Sequence, residues 1–71
     1  MKAGALLAVL AREPLAYREV RRTGSHRRLE SSGRPSLTFA FHDGQTLAPG
    51  LVRKILVKDV GLSADEAVRL L

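Results

Sequence analysis

The chain has 71 residues and no cysteine, so it forms one small domain that neither a disulfide framework nor a thiolate zinc site can staple. A chain this short buries only roughly 60% of the surface it exposes when unfolded, and the core must come from Leu, Val, Ile and Phe, which at 21 residues are too many for a disordered tail. Nine arginines and three lysines against seven acids leave a net charge of +5; this favours a polyanionic partner, since guanidinium forks meet phosphate oxygens two at a time, with a solvated basic face as the plainer alternative.

Ala3, Leu6, Leu7 and Leu10 recur at i, i+3, i+4 and i+7, one stripe of a helix. Pro14 closes it, because the residue before a proline is pushed out of the α region. This apolar opening is far shorter than the roughly 18 residues that span a bilayer. Arg12 and Glu13 follow with no small-residue cleavage site between, so a secretory leader is not expected and the chain reads as cytoplasmic. Over residues 15–22, Tyr17 and Val20 suit a strand and the charged residues suit a sheet edge. Thr23, Gly24 and Ser25 form a turn, and Arg28, Leu29 and Glu30 return as a middle strand ended by the Ser-Ser-Gly-Arg-Pro run at 31–35.

The clearest strand follows, with Leu37, Phe39 and Phe41 on the core face and Ser36, Thr38 and His42 on the other. Asp43-Gly44 turns the chain out, and Pro49-Gly50 starts a second helix in which Leu51, Ile55 and Leu56 fall at helical spacing. Gly61 ends it at the preferred C′ position. Ser63 and Glu66 then make a capping box for a third helix, with Leu62 placed to staple onto Ala67. Three antiparallel strands with one apolar face need helices to cover it. The expected fold is a single α+β domain over residues 1–71, a two-layer sandwich in the order α-β-β-β-α-α.

The run Arg21-Arg22-Thr23-Gly24-Ser25-His26, a strand, Phe41-His42, then Leu47-Ala48-Pro49-Gly50, Val52-Arg53-Lys54-Ile55-Leu56 and Val60-Gly61-Leu62 resembles the HicA toxins. That resemblance covers most of the chain. It implies a fold similar to the double-stranded RNA-binding domain, an mRNA-cleaving ribonuclease activity, and a HicB-type antitoxin as protein partner. It also implies that the histidine of the Gly-Ser-His turn, here His26, is catalytic. The family usually places glycine and an aromatic before the first strand, where this chain has Ala16 and Tyr17, and often a second histidine after the catalytic one, where this chain has Arg27.

The chemistry fits those residue types. An RNA strand carries its own nucleophile, the 2′-hydroxyl, so cleavage needs a base for its proton, cations for the crowded phosphate and an acid for the leaving 5′-oxygen. Histidine is the side chain matched to proton transfer at neutral pH. The seven acids are scattered and mostly sit beside basic residues, unlike the gathered carboxylates of a Mg²⁺ nuclease, so no metal or cofactor is expected. Arg21, Arg22, Ser25, Arg27 and Arg28 around His26 are the expected phosphate contacts; Lys54 near the start of the second helix either holds backbone, as the corresponding region of double-stranded RNA-binding domains does, or belongs to an ordinary solvated helix face. His42 either joins the site or begins a loop. Tyr17 reads as an edge core residue rather than a base-stacking platform. The competing functions are a non-catalytic RNA-binding module and a small domain that binds an acidic protein. The discriminating feature is the histidine, since a pure binder needs no imidazole among its arginines.

Overall fold

The computed structural model describes residues 1–42 and 44–71. Helix α1 (Ala3–Ala11) buries Ala3, Leu6, Val9 and Leu10, the expected stripe with Val9 added and Leu7 at its margin. Its N-terminal end is tied down: Ala3 N–H donates to the Gln45 carbonyl at 2.8 Å and Leu47 N–H to the Met1 carbonyl at 2.7 Å. After the helix the chain doubles back through Pro14, and Tyr17 N–H donates to the Leu10 carbonyl at 2.8 Å.

Three strands form one antiparallel sheet in the order β1 (Arg18–Thr23), β2 (His26–Glu30), β3 (Leu37–Phe39). The hairpin between β1 and β2 has a two-residue loop, Gly24-Ser25. Gly24 takes φ +59° and Ser25 stays at negative φ, the pattern of a type II′ turn with glycine at its first central position. β1 starts three residues later than the composition suggests, because residues 13–16 are spent reversing the chain. It is the edge strand and all six of its residues are exposed. β3 is shorter than its alternation promised. Phe41 lies beyond it, half-buried, with its ring edge-on to Phe39 at a centroid separation of 5.0 Å. The turn expected at Asp43-Gly44 includes Asp43, outside the described residues.

The second helix is in two parts. α2 (Pro49–Lys54) begins with proline in its first turn and continues into a wider π-helical turn over Ile55–Asp59, where Val60 N–H reaches back five residues to the Ile55 carbonyl at 2.9 Å. Gly61, at φ +92°, then ends the segment as expected, and Leu62 N–H closes onto the Leu56 carbonyl. Helix α3 (Ala64–Leu70) carries the full capping box: Glu66 N–H donates to the Ser63 hydroxyl at 3.2 Å and Ser63 N–H to the Glu66 carboxylate at 3.0 Å. These hydrogen bonds, the backbone one first, hold the Glu66 carboxyl below the usual carboxylate range. Leu62 and Ala67, the staple pair, are both buried.

All of this encloses one core. Leu6, Leu10, Leu15, Leu47 and Leu56 are its fully buried large side chains, and Tyr17, Leu29, Leu37, Phe39, Val52 and Ile55 join the same cluster. The helices cover one face of the sheet, and the other face is open. Among the described residues no helix is long and apolar enough to cross a membrane.

Candidate active site on the open sheet face

Residues facing each other across an antiparallel ladder share a face, and faces alternate along each strand. In β2, Arg27 and Leu29 are buried while His26 and Arg28 are exposed, so His26, Arg28 and Glu30 project from the open face. Their partners share it. Thr23 lies across from His26, Arg21 across from Arg28 and Arg18 across from Glu30. On the far side Thr38, exposed, lies across from Arg28. The open face therefore carries His26 at the hairpin end, with a transverse row Arg21, Arg28, Thr38 one step along. Neighbours on one face of a strand are roughly 7 Å apart and directly opposed Cβ atoms roughly 5 Å, so the imidazole and both guanidinium groups can reach one phosphodiester.

Unbroken alternation from buried Tyr17 would not give this arrangement, since it would place Arg18, Val20 and Arg22 on one face and Arg21 on the other. The register slips between Glu19 and Arg21, a β-bulge that leaves Val20 as the extra residue and turns Arg21 onto the open face. Bulges commonly re-aim a side chain beside a functional site. Arg18, absent from the expected phosphate contacts, joins the open face by the same pairing.

The structure separates the other expected contacts. Arg22 pairs with Arg27, which puts both on the helix-covered side. Arg22 is exposed there, but the Arg27 side chain is buried, with Nε 3.5 Å from a Glu19 carboxylate oxygen, beside Leu7, Leu10 and Tyr17. Arg27 is thus a correction to the expectation of a phosphate contact: strand alternation turns it away from its neighbours His26 and Arg28, and its aliphatic stem completes the core edge. Ser25 is half-buried in the hairpin loop. Lys54 lies on α2 beyond β3, paired with Asp59 at 3.2 Å, and so belongs to a different wall of the molecule from His26. The π turn explains that pairing, because residues five apart fall on one side of a helix only when the turn is widened.

His42 is exposed and outside the strands, its carbonyl accepting from Gln45 N–H at 2.9 Å. Tyr17 is buried, and its hydroxyl donates to the Pro35 carbonyl at 2.7 Å; it is a core residue, not a stacking platform. Among the described residues, no three histidine, aspartate or glutamate side chains gather where they could share a cation.

These features define a small basic α+β domain that presents a histidine and arginines on an uncovered sheet. The sequence profile described as HicA toxin of bacterial toxin-antitoxin matches residues 6–62, and the chain belongs to that family. Its role is that of the toxin in such a pair, with a cognate antitoxin as partner. No curated protein and no solved structure is similar enough to add to that match.

Proposed function

We propose that this toxin is a metal-independent endoribonuclease that cuts mRNA in the cytoplasm, with His26 as general acid or base. The observation that carries the reading is the placement of exposed His26 on the same open face as the opposed Arg21–Arg28 pair. RNA laid across that face brings a ribose to the imidazole and its phosphate to the guanidinium groups. His26 takes the 2′-hydroxyl proton as the 2′-oxygen attacks phosphorus. The bond to the 5′-oxygen breaks, that oxygen takes up a proton, and a 2′,3′-cyclic phosphate remains. Arg21 and Arg28 stabilise the charge that builds on the phosphoryl oxygens, and Arg18 on the same face and Ser25 in the hairpin loop hold flanking backbone.

Purified protein should degrade a single-stranded RNA in EDTA, and His26→Ala should reduce the rate by about 10²–10⁴, the range of a general acid–base contribution, while the circular dichroism spectrum stays unchanged. If the alanine variant cuts at the parent rate, the mechanism is wrong. If neither protein cuts but both bind RNA, with a salt slope of about −2 for three neutralised phosphates, the face is a binding module.

A further inference from the structure

β3 forms the second edge of the sheet. β2 occupies one side of it, and among the described residues no strand pairs with the other. An exposed edge is a row of unpaired N–H and C=O groups that templates another strand unless something covers it. Here the edge opens onto a cleft of about 500 Å³ whose far wall is a helical stripe, Leu51, Lys54, Ile55 and Lys58, running beside Leu37, Thr38 and Phe39. The floor is apolar. Leu37, Phe39 and Ile55 are core residues, while Leu51 and Phe41 are partly buried against them. A strand edge facing a helix across a cleft with an apolar floor and a polar rim is the arrangement in which an extended peptide adds as a strand. Its backbone completes the ladder and its alternate side chains drop between the walls.

Charge specifies the peptide. Lys58 stands exposed on the helical wall beside Lys54, whose charge is shared with Asp59 at 3.2 Å. An added strand would place every second side chain in the cleft and the others on the open face, next to Thr38 and toward Arg28 and Arg21 in the same transverse row. The complementary pattern alternates apolar residues with acidic ones. A nucleic-acid strand matches less well, because its phosphates only accept hydrogen bonds and cannot satisfy the edge carbonyls.

We infer that the cognate antitoxin seats an extended segment of alternating apolar and acidic residues in this cleft, as a fourth strand against β3. The inference rests on membership of the toxin family and not on the nuclease mechanism.

Hydrogen exchange on the full chain, alone and saturated with its antitoxin, tests it. Amides within residues 36–41 should slow at least tenfold in the complex, and Lys58→Glu should weaken the complex at least tenfold while RNA cleavage is unchanged. The inference fails if the antitoxin does not bind, if those amides keep their free exchange rates in the complex, or if Lys58→Glu leaves affinity intact. It also fails if a single-stranded oligouridylate protects the amides and the antitoxin does not, which would make the cleft an RNA channel. Loss of cleavage in His26→Ala bears only on the nuclease reading, so the two can fall separately.

Discussion

Arg21 stands directly across the β1–β2 ladder from Arg28, both exposed on the face that carries His26. Like charges in that position destabilise a sheet, and the exposed contact from Arg28 to Glu30, at 3.2 Å, offsets little of it. The proposed phosphate contact gives this opposed pair a reason, since local rules are most often broken at functional sites. Arg21→Thr should therefore raise stability by about 0.2–1 kcal/mol in urea unfolding, while RNA binding weakens and its salt slope falls by about 0.7. Stability and RNA affinity falling together would contradict this account.

Arg27 and Arg28 are adjacent in sequence, yet the structure turns them to opposite faces of the sheet. Arg27→Ala removes a buried stem that packs beside Leu7, Leu10 and Tyr17, and should cost about 1–3 kcal/mol in thermal or denaturant unfolding. Arg28→Ala should stay within about 0.5 kcal/mol of the parent and lose RNA affinity instead. The assignment is refuted if the two variants show the reverse pattern.

Ala16 sits at φ +53°, in the left-handed region, at the position where the resembled family usually has glycine. A Cβ there costs about 1–2 kcal/mol, partly balanced by the greater freedom glycine gives the unfolded chain. Ala16→Gly is expected to stabilise the protein by about 0.5–1 kcal/mol without altering activity. A loss of stability in equilibrium unfolding would show that the backbone at residue 16 is not held as described.

Tyr17 gives the alkaline side of the stability curve a specific shape. Burial pushes its phenol above the ordinary 10.0, with Arg34 pulling slightly the other way. The folded state thus favours the neutral ring, and this contribution is complete below pH 10 and is lost as pH rises through the folded value. Tyr17→Phe also removes the hydrogen bond to Pro35, which should cost about 1 kcal/mol at neutral pH. The gap between parent and variant should narrow above pH 10. Urea unfolding at neutral and high pH measures the gap. Because Tyr17 is the only tyrosine, phenolate absorbance follows the same ionisation, and a gap that stays constant with pH would exclude the coupling.

Most of the architecture was legible from neighbouring residues. The α1 stripe, the hairpin glycine at 24, the Leu37–Phe39 alternation, Gly61 and the Ser63–Glu66 box each depend on positions a few residues apart, and local preferences are written locally. The Gly-Ser-His run and its arginines were visible for the same reason, as was the role of Tyr17. The π turn was not, because nothing in residues 55–59 distinguishes five-residue from four-residue hydrogen bonding until Lys54 and Asp59 meet on one side.

What the sequence by itself determined is the inventory: one basic domain, three strands with helices to cover one face, and a single histidine in a glycine turn between pairs of arginines. Which arginine stands beside that histidine was decided only by tertiary structure. A strand turns a side chain toward solvent or core according to its pairing with a strand elsewhere in the chain, and a slip of one residue at Val20 moves Arg21 onto the open face. The same pairing, with the helices packed behind it, sends Arg27 into the core edge.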